Sequence, residues 1–329
     1  MDATNKVTAE DVFEAARRVS GQAVVTPLLS CALLDDLTGG RILVKAENLQ
    51  IAGAFKFRGA YNRLVQLDAA QRAAGVVAWS SGNHAQGIAA AGARLGVRTT
   101  IIMPADAPAI KVENTKRLGA EIVFYDRHTQ SREAIGQRLS QERGATLVPS
   151  YDDPHVIAGQ GTVALEIIAQ SQALYGTLPD AALIPCGGGG LIAGCALAFE
   201  ALSPATRVHS AEPAGYDDTA RSLAAGARVQ VEKGATTLCD ALMAPTPGDM
   251  TFPINRQLLA GGVAVTDEMV LAAMAFAWRE LKLVVEPGGA VALAAILHGV
   301  FDCTDKTVAI VLSGGNVDPE LYRQALASS

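Results

Sequence analysis

The chain has 329 residues, half of them hydrophobic and 18% charged, a balance that supports a large buried core and excludes an intrinsically disordered protein. A formal net charge of −6, with no run of Lys and Arg, argues against a nucleic-acid or anionic-membrane partner. No apolar stretch reaches the roughly 18 residues of a membrane span; Glu200 interrupts the longest candidate, Leu191 to Leu202.

The first residues, Met1 to Lys6, lack the basic-then-apolar character of a secretory signal, so a cytoplasmic protein is expected. Five widely spaced cysteines without a C-x-x-C pair read as reduced thiols and not as a disulfide frame or zinc site. Cys186, at a strand end, reads as a small apolar filler. Thr8-Ala9-Glu10-Asp11 has the form of a capping box and opens an amphipathic helix. The strand-like run Ile42 to Leu49 follows, then Gly53-Ala54-Phe55-Lys56-Phe57-Arg58-Gly59-Ala60. A lysine between two aromatic side chains, where a strand gives way to a helix, is placed for desolvation. Desolvation lowers an amine's pKa and leaves it nucleophilic, as Schiff-base chemistry requires; the competing reading is an ordinary lysine whose stem packs on apolar surface.

Short β-rich runs then alternate with alanine-rich helical ones: Gly75 to Trp79 before Asn83 to Leu95, Thr99 to Met103 before Ala109 to Leu118, and Glu121 to Phe124 before Ser131 to Arg143. A second set comprises Ala181 to Pro185, Leu191 to Leu202, Arg207 to Ala211 and Thr307 to Leu312. With no hairpin dipeptides between them, these predict an α/β fold of two lobes with mostly parallel sheets and a ligand crevice beyond the strand C-termini.

Three loops carry chemistry. Gly187-Gly188-Gly189-Gly190 lies between a buried-looking strand and a helix, and glycine lets consecutive N–H groups converge on a phosphate. The overlapping string Gly188 to Ala193 also satisfies a permissive dinucleotide fingerprint, with Glu212 near the position of a ribose-binding acid, so an NAD-dependent Rossmann oxidoreductase stays open. Ser80-Ser81-Gly82-Asn83-His84 offers hydroxyls, an amide and N–H groups to a carboxylate, or is simply a good N-cap cluster. Ser313-Gly314-Gly315-Asn316 could hydrogen-bond a ring nitrogen. A lysine, a phosphate nest, a carboxylate-binding turn and a neutral hydroxyl are the parts one cofactor needs, pyridoxal phosphate.

With Ala54 to Ala60, Ser80 to Gly87, Ile157 to Thr162, the glycine run, Glu286-Pro287 and Ser313 to Asn316, the chain resembles the fold-type II pyridoxal-phosphate enzymes of the threonine dehydratase and serine racemase family, of tryptophan synthase β-like architecture, over nearly its whole length. The resemblance implies a large cofactor-binding domain of 1–72 and 152–329 and a small substrate-closing domain of 73–151. It gives Lys56 the Schiff base and the Cα proton, and Phe55 the cofactor's ring. Asn83 takes the phenolic oxygen, Gly187 to Leu191 the phosphate, and Ser313 the pyridine nitrogen. Ser81 matches a serine on the opposite cofactor face that would reprotonate Cα in a racemase.

Glu212-Pro213-Ala214-Gly215-Tyr216-Asp217-Asp218 resembles the family's divalent-cation loop, implying Mg²⁺ or Ca²⁺ on Glu212, the Tyr216 carbonyl and Asp218. A homodimer is likewise implied. No regulatory domain follows Ser329, which fits feedback-controlled threonine dehydratases less well. Ala54, Tyr125-Asp126-Arg127 and Tyr151 to His155 are similar to 3-hydroxyaspartate dehydratases, so the expected substrate is 3-hydroxyaspartate, with threonine or serine as the alternative. A second substrate carboxylate needs a cation or several donors, for which Arg132 with His84 or Tyr151 are candidates, and Asp240 matches an acid near the family's active site.

Overall fold

The computed structural model describes residues 6–107 and 109–327, so the reading of Met1 to Asn5 lies outside the described residues. In chain order the strands are β1 (Leu28–Leu29), β2 (Arg41–Ala46), β3 (Val76–Trp79), β4 (Thr99–Pro104), β5 (Glu121–Tyr125), β6 (Thr146–Leu147), β7 (Ala181–Pro185), β8 (Arg207–Pro213), β9 (Gly261–Val265) and β10 (Thr307–Leu312). Among the described residues they pair into a six-stranded sheet, β1-β2-β10-β7-β8-β9, and a four-stranded sheet, β5-β4-β3-β6. The β1–β2 pairing is antiparallel and the others are parallel. The four-stranded sheet is drawn wholly from within 73–151 and the other sheet wholly from outside it.

Helices cover both faces, which is why the central strands read as unbroken apolar runs. The alternation of the pleat divides them. Ile42, Val44, Ile310 and Leu312 join the core under the helix Pro287–Leu297, whereas Leu43, Ala309 and Val311 join a second core with Val12, Ile157 and Phe199. The helices used below are α1 (Ala9–Val19), α2 (Ala32–Thr38), α3 (Lys56–Leu64), α4 (Ala69–Ala74), α5 (Asn83–Leu95), α6 (Ala109–Arg117), α7 (Arg132–Arg143), α8 (Pro154–Tyr175) and α9 (Gly190–Leu202). α1 begins at the expected capping box of Thr8 and Asp11.

One expected strand is shorter than its apolar pattern. β2 stops at Ala46, and Glu47 to Leu49 form a 3₁₀ turn. The cause is Glu47, whose buried carboxylate takes two 2.8 Å bonds from Arg58 and one of 2.5 Å from Thr26. Arg58 also bonds both oxygens of Glu166, and Lys45 joins the same acid at 2.6 Å. Two cations and two acids therefore neutralise each other, the condition under which buried charge is tolerated. The cluster pins the first turn of α3.

α3, α8 and α9 pack in sequence, α3 on α8 and α8 on α9, with no side chains between at the closest points. A Cβ on Gly159 of α8 would lie 2.6 Å from the Cα of Gly59 in α3, and one on Gly161 would lie 2.5 Å from the carbonyl oxygen of Gly194 in α9. Glycine is required at such backbone contacts. Because β7 and β10 are adjacent, the loops after them, Gly187–Gly190 and Ser313–Asn316, open at one edge of the sheet.

Candidate active site

A cavity of about 510 Å³ lies at that edge, between the two sheets, and Lys56 lines it. Lys56 is the first residue of α3; its Nζ donates to the Ser150 carbonyl at 2.7 Å and sits 5.0 Å from the centroid of the Phe55 ring. Burial lowers its pKa to about 8, against an opposing pull from Glu286. The expected sandwich between two rings is not formed. Phe57 is buried against Tyr61, with ring centroids 5.7 Å apart, because consecutive residues of a helix face different sides.

The glycine run forms a floor. Gly189 has φ of +90°, and a Cβ on Gly188 would run into the Tyr151 ring. Thr251 donates to the Gly188 carbonyl at 2.7 Å. The N–H groups of the first turn of α9 have no helical partner, so the polar face left to this loop is one of donors aimed at an anion.

Asn83 begins α5, and its amide is oriented by the other sheet's loops. Its oxygen accepts from Asn316 at 2.8 Å, and its nitrogen donates to Glu286. One N–H remains, suited to an acceptor such as a phenolic oxygen. Glu286 is 2% exposed; burial, then the nearby Asp240, pushes its carboxyl up to about 8. Ser313, on the neighbouring loop, lines the same cavity. In the sequence Glu286 and Asn316 are only parts of strings, without roles of their own. An acid just ahead of a proline-opened helix was the available signal.

The residues expected to hold substrate also gather here: Ser80 to His84, Arg132, Tyr151 and Asp240 all line the cavity. His84 has a different chemistry from the one expected. Its Nε2 lies 2.9 Å from the Val148 carbonyl, and burial pushes its pKa down to about 3, so the ring is neutral and brings no cation to a carboxylate. What it offers is a main-chain N–H at the start of α5. Ser80 Oγ accepts from the Gly82 N–H at 3.1 Å, closing the turn internally. Arg132 is half exposed beside Glu133, and Asp240 is engaged by Lys111.

The expected cation loop lies apart, after β8. The Glu212 carboxylate already accepts from Thr219 N–H at 2.8 Å and from Ala220 N–H and Ser210 Oγ at 2.9 Å. Asp218 differs, since both its carboxyl oxygens are buried without a hydrogen-bond partner. Burial raises it to about 7 and Glu212 to about 8. The Tyr216 hydroxyl donates to the Ala235 carbonyl at 3.2 Å. Among the described residues no cluster of three or more His, Cys, Asp or Glu side chains forms a metal site.

A desolvated lysine, a backbone anion nest and an aimed amide N–H define a site for a phosphorylated carbonyl cofactor, and the residues present fit pyridoxal phosphate. The chain belongs to the pyridoxal-phosphate dependent enzyme family, which it matches over residues 19–314. It is a fold-type II member. It is 45% identical over 316 residues to an L-threo-3-hydroxyaspartate ammonia-lyase of Pseudomonas sp, covering 96% of this chain and 97% of that one. It is 41% identical to the L-threo-3-hydroxyaspartate ammonia-lyase of Saccharomyces cerevisiae, covering 96% and 95%. The structure of maize serine racemase superposes with a TM-score of 0.91 at 38% identity, covering 98% of this chain and 97% of that one. The oxidoreductase reading falls with that family match, and Glu212, buried near the end of β8, turns its carboxylate to the main chain of the following helix and to Ser210.

Proposed function

We propose that the protein is a pyridoxal-phosphate-dependent ammonia-lyase that converts 3-hydroxyaspartate to oxaloacetate and ammonia, by loss of water and hydrolysis of the released iminosuccinate. The observation that carries this reading is the near-full-length likeness to two hydroxyaspartate ammonia-lyases. Bound cofactor supplies an electron sink that acidifies the substrate Cα. Lys56 holds it and, once displaced, takes the Cα proton; an amine titrating near 8 has free base available close to neutral pH. The N–H groups of Gly187 to Leu191 hold the phosphate, the spare N–H of Asn83 the phenolic oxygen, Ser313 the ring nitrogen and Phe55 the apolar ring face. Main-chain N–H groups of Ser81, Asn83 and His84 orient the α-carboxylate, those of Ser80 and Gly82 being spent on Ile102 and on Ser80 Oγ. Arg132 and Tyr151 serve the distal carboxylate, the two of its three candidate partners left once His84 is neutral.

Ammonia release should be compared for threo- and erythro-3-hydroxyaspartate, threonine and serine. Hydroxyaspartate is expected to lead in kcat/KM by at least about tenfold, because a site built for a second carboxylate leaves donors unpaired with a smaller substrate. A threonine preference of that size would overturn the substrate. Lys56→Ala should lose both activity and the cofactor's visible absorbance. A racemase reading is favoured by the likeness to maize serine racemase and by Ser81 in the cavity; absence of D-serine from L-serine would remove it, and D-serine formation that survives in Ser81→Ala would remove Ser81 from it.

The same reading includes a divalent cation on Asp218, supported by its two unpartnered oxygens. Calorimetric binding of Mg²⁺ or Ca²⁺ should vanish in Asp218→Asn. The two lobes of 1–72 with 152–329 and of 73–151, a homodimer and a cytoplasmic location complete it; no helix among the described residues is long and apolar enough to cross a membrane. Sedimentation as a monomer at micromolar concentration would remove the homodimer.

A further inference from the structure

Lys111 and Asp240 form an ion pair that the chemistry above does not use. Lys111 lies in α6, whose main packing partners are α5 and β5, and so belongs to the four-stranded sheet. Asp240 opens the 3₁₀ turn Asp240–Leu242, which backs the glycine run: a Cβ on Gly187 would lie 3.1 Å from the Cα of Leu242. Both residues line the cavity, so the bond joins its two sides, one from each sheet. Asp240 is carried by the larger sheet's side of the cavity and Lys111 by a helix of the smaller.

The two are unequally solvated, Lys111 being 13% exposed and Asp240 53%. A pair with one half-exposed partner contributes little to stability, which makes it easy to break and remake. Both charges also reach the buried Glu286 beside Lys56, the acid holding its proton on and the lysine opposing. We propose that Lys111 and Asp240 are a positioning pair that fixes the unit 73–151 against the glycine-run side of the cavity. Neither then needs to touch substrate. The pair brings Ser80 to His84 and Arg132, all carried by that unit, to their working distance from Lys56.

Its kinetic test rests on the lyase reading, and a second readout does not. In the holoenzyme, Lys111→Met and Asp240→Asn should each raise KM for hydroxyaspartate by about three- to tenfold, with kcat falling by less than KM rises. The exchanged pair, Lys111→Asp with Asp240→Lys, should return KM toward the original value. Hydrogen exchange of the 109–117 amides should quicken in both single variants and slow again in the exchanged pair, whatever the substrate proves to be. Unchanged KM and exchange in the single variants would overturn the proposal. So would single variants that are impaired and not rescued by the exchange, because a direct contact with substrate has no reason to survive reversal of both charges.

Discussion

Asn83 has two amide hydrogens, and the protein uses one. Glu286 takes that one and Asn316 holds the oxygen, so the direction of the other is set before any cofactor arrives. Glu286→Ala should free the amide to rotate and weaken pyridoxal phosphate binding by roughly tenfold, about the worth of one directed hydrogen bond. Glu286→Gln, which can still accept through its amide oxygen, should bind nearly as the native protein does. Fluorescence titration of cofactor-free protein reads both, and equal affinity in all three would remove the orienting role. Lys56, the glycine run and Ser313 were legible in the sequence because each carries its chemistry in a local string. Glu286 was not, because its bond to Asn83 joins positions 203 apart. The charge of His84 is not legible for a related reason: it depends on burial, which the local string does not give.

At the scale of elements, the alternation of β-rich and alanine-rich runs was enough to place both sheets, since a parallel strand buried on two faces writes itself as an apolar run. β9 is not legible because it opens Gly261-Gly262, which reads as a turn, and β1 and β6 are not legible because they are two residues each. β2 was read too long because what ends it is Arg58 acting on Glu47, a tertiary event. The loop after β7 carries this level's prediction. Gly188→Ala drives a methyl into the Tyr151 ring and disturbs the nest of N–H groups, so cofactor affinity should fall at least about tenfold while far-UV circular dichroism is unchanged. Full affinity in that variant would mean that the phosphate binds elsewhere.

Across the whole molecule, three buried acids set the response to pH. Glu286 and Glu212 are raised to about 8 and Asp218 to about 7, burial being the first cause in each. Each holds its proton more tightly folded than unfolded, so its contribution is fully present below the ordinary carboxylate range and is lost as pH rises through 7 to 8. The neutral His84, its pKa pushed down to about 3, acts in the opposite sense up to the ordinary histidine range, so protein free of cofactor and divalent cation should show a Tm that falls between about pH 7 and 8.5. Mg²⁺ or Ca²⁺ should flatten that fall by engaging Asp218 as an anion. A Tm rising across the interval would contradict it. The glycine contacts among α3, α8 and α9 have a different consequence. Where main chain rests on main chain there is no side chain whose size could drift and be absorbed by its neighbours, so the location of Lys56 is inherited from the backbone itself. Substitutions can accumulate around the substrate, and change which hydroxy amino acid is accepted, while the reacting amine keeps its place.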